Sequence, residues 1–255
     1  MYSKKNLELL KELSFTQFKL KDQSSALGAL WSLLHPVILI SVLYVVFSNR
    51  FGENIEHYVI YLLIGVIQYT HFSTATINSM KSLKSMKSLT KNTIFPKEII
   101  VFSSIISSFI EFIISLLLCY VIALISGISF SPYFILAVPL IIVLQLSIVL
   151  WISLFLAPLF LVLKDIEHIY QILLRVLFFI TPIFYVISFL GEGLAKTVVL
   201  LNPLTHLITF SREIIINNNY FIMKEVTIFL MVNIILILIA FMVFKKLEPR
   251  FAEVI

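Results

Sequence analysis

Six long stretches of this chain run almost without charge, and each is long enough to demand a membrane or a very large dry core. A helix of about 20 apolar residues crosses the roughly 30 Å hydrocarbon layer because it satisfies its own backbone hydrogen bonds there. The runs are residues 31–47; 58–77, interrupted only by Gly65, Gln68 and His71; 99–125, with Glu111; 135–163; 169–190, with Arg175; and 226–244, with Asn233 as its strongly polar member. The fourth exceeds a bilayer's needs, so it should tilt, protrude or kink at Pro139 or Pro158. A soluble globule of this size is excluded, since 60% of the residues are hydrophobic, 13% are charged and the mean hydropathy is +1.05. The runs also lack the alternation of transmembrane strands. The fold class expected is an all-α membrane protein with six transmembrane helices.

Positive charge then orients the chain, because Lys and Arg are retained in cytoplasmic loops. Lys4, Lys5, Lys11, Lys19 and Lys21 precede the first run; Lys81, Lys84, Lys87, Lys91 and Lys97 follow the second; Lys245, Lys246 and Arg250 follow the sixth. With six crossings all three groups share one face, so both termini are expected in the cytoplasm. Arg50, Lys196, Arg212 and Lys224 fall on the other side. The net charge of +5 reads as a topology signal and a contact for membrane lipids, with no nucleic-acid partner implied. Residues 1–28 form the first segment. Within it Lys5, Glu8, Lys11, Glu12 and Lys19 occupy one helical arc and Leu7, Leu9, Leu10, Leu13, Phe18 and Leu20 the opposite one, with Phe15 fitting poorly. That pattern predicts an amphipathic helix lying on the cytoplasmic membrane surface, or a plain pre-membrane anchor. Residues 1–20 are too interrupted by charge for a cleavable signal peptide. The membrane domain covers 29–245 and a cytoplasmic tail 246–255.

Between the fifth and sixth runs, residues 191–213 hold two apolar pieces divided by Asn202-Pro203, each too short to cross. They either dip in and return as a re-entrant pair that shapes the outer mouth of a pathway, or lie flat at the interface. Asn202, Pro203 and Arg212 are the candidate outer gate.

The basic loop at 79–98 must sit in water, where another protein can push on it. Leu83, Met86 and Leu89 give it a modest apolar stripe, and Pro96 marks a break before Glu98 begins the third span. A short helix there, held by Pro96, could pass a push into the membrane; alternatively the lysines merely set topology.

Several motifs resemble one known family. The stretch from Lys19 through Gly28 and Trp31 to Pro36 is similar to the K/R-x-R-Y-x-x-S-x-L-G-x-L-W pattern before the first span of ABC-2 type permeases that export polysaccharides. The Arg-Tyr of that pattern is missing, with Asp22-Gln23 in its neighbourhood. Ile94-Phe95-Pro96-Lys97-Glu98 is similar to the family's F-P-R-E, Lys164-Asp165 through His168 to its R-D-V-x-H, Leu201-Asn202-Pro203-Leu204 to its L-N-P-L, and the tail from Leu247 to Glu253 to its closing pattern. The resemblance implies a bacterial inner-membrane homodimer with two separate ATPase subunits docked on the cytoplasmic face, moving a lipid-linked polysaccharide such as O-antigen. It assigns coupling to the ATPase to the loop, with Lys91, Phe95, Pro96, Lys97 and Glu98 as candidates. ATP and Mg would belong to that partner. The chain has no G-x-x-x-x-G-K-[ST] loop to cradle phosphates, and no cofactor of its own is expected.

Charges inside spans are costly, so Glu111 and Arg175 should face protein or water, either paired with each other or touching sugar hydroxyls. A glycan conduit needs aromatic planes, and Tyr44, Tyr69, Phe72, Phe178, Phe179, Phe184 and Tyr185 are candidates; each could equally pack helices. The serines at 103, 104, 107, 108 and 115 suit close helix packing or substrate contact. Enzymatic chemistry finds no support, since the 5 histidines are scattered, Cys119 stands alone and no zinc spacing occurs. An exporter of small molecules or lipids, or an ion-coupled secondary transporter, is the alternative.

Overall fold

The computed structural model of the chain describes residues 4–21, 31–92, 95–128, 130, 134–163, 165–219 and 223–251. Among them every regular element is helical: α1 Lys4–Lys21, α2 Trp31–Phe51, α3 Tyr58–Ser85, α4 Lys87–Asn92, α5 Glu98–Ile125, α6 Phe134–Val162, α7 Ile166–Ile180, α8 Leu194–Leu201, α9 Pro203–Ile215 and α10 Met223–Leu247. Residues 22–30 of the first motif, including Gly28, together with Ile94, Lys164 and 252–255, lie outside the described residues.

Among the described residues five helices are long and apolar enough to cross a membrane: Leu34–Phe51, Tyr58–Ser85, Glu98–Ile125, Ala137–Val162 and Met223–Arg250. The helix α3 is the axis of the bundle, with 72% of its span buried against 17% for the spans in α2 and α10, which face outward. Its composition explains this place. Gly65, Ser73, Ala75, Thr76 and Ser79 are small, so α5 and α6 approach its backbone closely. The serines of α5 meet it in kind. All five are buried, and Ser103 and Ser108 return their hydroxyls to the carbonyls of Ile100 (2.8 Å) and Ser104 (3.1 Å), which marks them as packing residues.

The fifth run departs from the sequence expectation. Instead of continuing to residue 190, its helix α7 stops at Ile180, because Thr181 precedes Pro182 and takes an extended conformation (ψ 132°). From there to Gly193 the backbone is irregular except for one 3-10 turn at Ile187–Phe189, and α3 takes up two of its carbonyls: Tyr58 Oη donates to that of Phe184 at 3.0 Å and Tyr61 Oη to that of Tyr185 at 2.7 Å. Irregular backbone is tolerated in apolar surroundings when protein groups take up its carbonyls in this way.

Part of the basic loop is also helical. Lys81 and Lys84 extend α3, and α4 is a separate short helix. The first helix, α1, packs on α5: Ser14 is buried, and Gln17 Nε2 donates to Ser103 Oγ at 2.7 Å. Its charged residues Lys5, Glu8, Lys11, Glu12 and Lys19 are exposed, as are Leu7, Phe15 and Leu20.

Candidate functional site

Three places bring the candidate residues together, one at each end of the bundle and one on its flank. At the first, Pro96 and Lys97 accept the opening amides of α5, from Ile99 and Ile100 at 3.1 Å each, so the helix starts rigidly from the loop. Its first residue, Glu98, is 2% exposed, and a buried carboxylate needs a partner. Lys245 near the end of α10 supplies it: Nζ lies 2.8 Å from Glu98 Oε2 and 2.9 Å from Glu248 Oε2. Glu248 in turn accepts the backbone N–H of Lys97 at 3.1 Å. The Lys97 ammonium sits 4.8 Å over the Phe95 ring, its pKa lowered by partial burial against the opposing effect of Glu248. Phe95, Pro96, Lys97 and Glu98 therefore form one joint with the end of α10. Lys91 is exposed on α4, outside it.

At the opposite end α8 and α9 form a hairpin whose corner is Asn202-Pro203. Asn202 caps α9, its Oδ1 accepting the Leu204 amide at 3.0 Å, while its Nδ2 donates to Thr181 Oγ1 at 2.8 Å; Pro203 fills the first helical position, where no N–H is needed. Leu204, Leu207, Ile208, Ile214 and Ile215 pack α9 into the core. Arg212 is not the exposed charge that topology counting implies. It is 6% exposed and serves as a structural hub. Its Nε and Nη2 donate to the Tyr61 carbonyl (3.2 and 2.9 Å), Nη2 also to Ile183 (2.8 Å) and Nη1 to Pro182 (2.6 Å), with the guanidinium carbon 3.3 Å from the centre of the Tyr61 ring. The guanidinium's five N–H donors, spread over a planar fork, let this one side chain serve all three carbonyls. Gly65 gives it room, since a Cβ there would lie 2.8 Å from Nη2.

The third place is an open groove of about 480 Å³ between α2, α3 and α7, lined by Leu39, Tyr69, Ser73, Ile77, Gln171, Leu174, Arg175, Phe178 and Phe179. Tyr69 Oη donates to the Leu174 carbonyl, and its ring meets Phe178 edge-on at 5.2 Å. This docks α7 so that Leu174 is buried and its neighbour Arg175 exposed. Glu111, half-buried on α5, does not form an ion pair with it.

The aromatic candidates thus divide. Tyr69, Phe178 and Phe179 share the groove. Phe184 stacks on Phe47 at 4.5 Å near Tyr58, and Tyr44, 43% exposed, tilts toward Tyr58 at 6.2 Å. Tyr185 is internal, donating to the Ile180 carbonyl at 2.6 Å. Phe72 is buried and lines an apolar cavity of about 420 Å³ shared with Tyr170, Leu173 and residues 201–204.

Sequence reasoning missed Lys245, Glu248 and Tyr61 as partners, and a polar cluster at the bundle's centre. There Gln68 Nε2 donates to Ser211 Oγ (2.5 Å), while Gln145 Nε2 bonds the Gln68 carbonyl (3.1 Å) and lies 2.8 Å from His71 Nδ1; the imidazole is stacked on Phe112 at 4.3 Å. Among the described residues, groups of His, Cys, Asp and Glu able to hold a metal are absent.

Comparison with known proteins gives one family. The ABC-2 type transporter family matches residues 8–216. Among curated relatives, the O-antigen export system permease protein RfbA of Klebsiella pneumoniae is 26% identical over 250 residues, covering 97% of this chain and 95% of that protein. RfbA of Myxococcus xanthus is 25% identical over 246 residues, covering 96% and 94%. The all-helical bundle, its five membrane-length helices and this match agree: the chain is a multi-pass membrane protein belonging to the ABC-2 type transporter family.

Proposed function

We propose that this chain is the transmembrane subunit of an ATP-driven exporter that moves a lipid-linked polysaccharide, of the O-antigen kind, across the bacterial cytoplasmic membrane. The observation that carries this is the likeness to O-antigen export permeases along nearly the whole chain. Two copies form the pathway, and two ATPase subunits dock on the face that bears Lys91, the Phe95–Glu98 joint and both termini. The ATPases contribute ATP and Mg; this chain contributes motion.

The joint supports that division of labour. A push on Phe95 reaches α5 through Pro96 and Glu98 and reaches α10 through Lys245 and Glu248, so two long helices respond together. In the membrane, α2, α3, α5, α6, α7 with its irregular extension, and α10 provide six crossings. What supports the re-entrant reading of 191–213 is that α9 packs against α3 from Tyr61 to Gln68 while its Asn202-Pro203 corner borders the cavity of Phe72. The pair then closes the outer mouth, with Arg212 as its anchor. Exposed apolar residues on α1 rest in the interfacial lipid. The path for sugars runs along the α7 groove, where Phe178 and Phe179 offer ring faces and the buried Tyr69 backs them.

The test is a deletion strain combined with affinity purification. Loss of the chain should leave a lipid-linked glycan on the cytoplasmic side, and the tagged chain should bring down an ATP-hydrolysing subunit. A strain that exports all its surface glycans normally would overturn the assignment.

A further inference from the structure

The helix α7 turns Gln171, Arg175, Phe178 and Phe179 toward the same groove, at the spacings that share a helical face. Arg175 stands about 14 Å from the start of α7 at the helical rise per residue, which in the six-crossing arrangement proposed above is close to half the hydrocarbon thickness. A cation at that depth is costly and marks a pathway or a ligand. Nothing among the described residues answers its charge. Glu167, two turns back, is held by Lys81 at 2.6 Å and by Gln171 Nε2 at 3.3 Å. Glu111 does not reach it, and no described carbonyl or ring engages the guanidinium, in contrast to the saturated Arg212.

The surroundings narrow the ligand. Leu39, Ile77, Phe178 and Phe179 make the groove largely apolar, and Phe179 is 66% exposed. A neutral sugar needs no cation, and a free phosphate ion gains nothing from Phe and Leu. A phosphate attached to a long apolar chain satisfies both. We propose that Arg175 recognises the phosphate or diphosphate that joins the transported glycan to an apolar polyprenyl carrier, with Phe178 and Phe179 packing on the chain and the second Nε2 proton of Gln171, whose first goes to Glu167, as a further donor. This rests on the export reading above and gives it a residue that selects the lipid-linked end.

The experiment measures binding of a fluorescent polyprenyl diphosphate, and of the neutral polyprenol of equal length, to the permease–ATPase complex in phosphatidylcholine nanodiscs. Co-elution with the ATPase is the control for folding. The wild type should hold the diphosphate at least about tenfold more tightly than the alcohol, the scale of one charge-assisted contact. Arg175→Gln should reduce the diphosphate to the alcohol's affinity, and Arg175→Lys, a charge without the fork, should keep part of the preference. Equal binding of the diphosphate by wild type and Arg175→Gln would overturn the proposal. Displacement of the probe by phosphatidylglycerol at matching concentration would overturn the carrier assignment by showing a site for any lipid phosphate. Either result, with an ATPase still co-purifying and glycan still trapped in the deletion strain, removes this site and leaves the export function standing.

Discussion

Two arginines on the helices after α6 received opposite environments. Arg212 is enclosed, its donors divided among the carbonyls of Tyr61, Pro182 and Ile183 and its face laid on the Tyr61 ring. Arg175 faces an open groove of aromatic and aliphatic side chains. Neither location suits a charge by itself. A buried guanidinium survives only when its donors are matched, and then it is part of the structure. An exposed one in an apolar groove, left without a described partner, is available to a ligand.

The largest effect should follow from emptying the enclosed site. Arg212→Ala leaves three carbonyls without their donor in a dry interior, and unfolding in detergent should come about 3–5 kcal/mol sooner, as for other broken buried charge networks. A variant melting with the wild type would show that α9 and the 182–185 segment do not depend on this hub. Next comes Gly65→Ala. Its new Cβ would lie 2.8 Å from Arg212 Nη2 and 3.3 Å from the Ile183 backbone, which predicts a loss of about 1–3 kcal/mol. Because the two changes strain one contact, the double variant should lose less than the sum of the singles, and strict additivity would count against the shared seat.

Lys245→Met tests the opposite end on a similar scale. It strips Glu98 of its ammonium and should destabilise by about 1–3 kcal/mol. Export should fall while the ATPase still binds; an unchanged export rate would remove the joint from the coupling path. The smallest effect belongs to the open site. Arg175→Gln should leave thermal stability within about 0.5 kcal/mol of wild type, as for surface changes, and a large drop would mean that Arg175 is structural like Arg212.

Much of this was legible because membrane helices announce themselves by length and charge. Even the interruptions of the second run were informative: Gly65 seats Arg212, Gln68 bonds Ser211 and His71 joins Gln145, so each polar or missing side chain marks a contact with another helix. Their partners were not legible. The Arg212–Tyr61 and Lys245–Glu98 contacts join residues 151 and 147 positions apart, and no local periodicity records such pairing. The fifth run was read as one helix through residue 190 because hydropathy is blind to backbone geometry, whereas Pro182 carried the stop. The aromatic residues show the same limit, since composition says that rings are available but only packing separates the half-buried Phe178 and exposed Phe179 from the buried Tyr69, Phe72 and Tyr185.

The central claim is that the chain moves its cargo only when an ATPase drives it. The most direct measurement reconstitutes the purified chain in vesicles loaded on one face with a fluorescent lipid-linked glycan and follows its appearance on the other, with and without the ATPase subunit and ATP. Movement against the gradient only when both are present is the result expected; uphill movement by the chain alone would contradict the account.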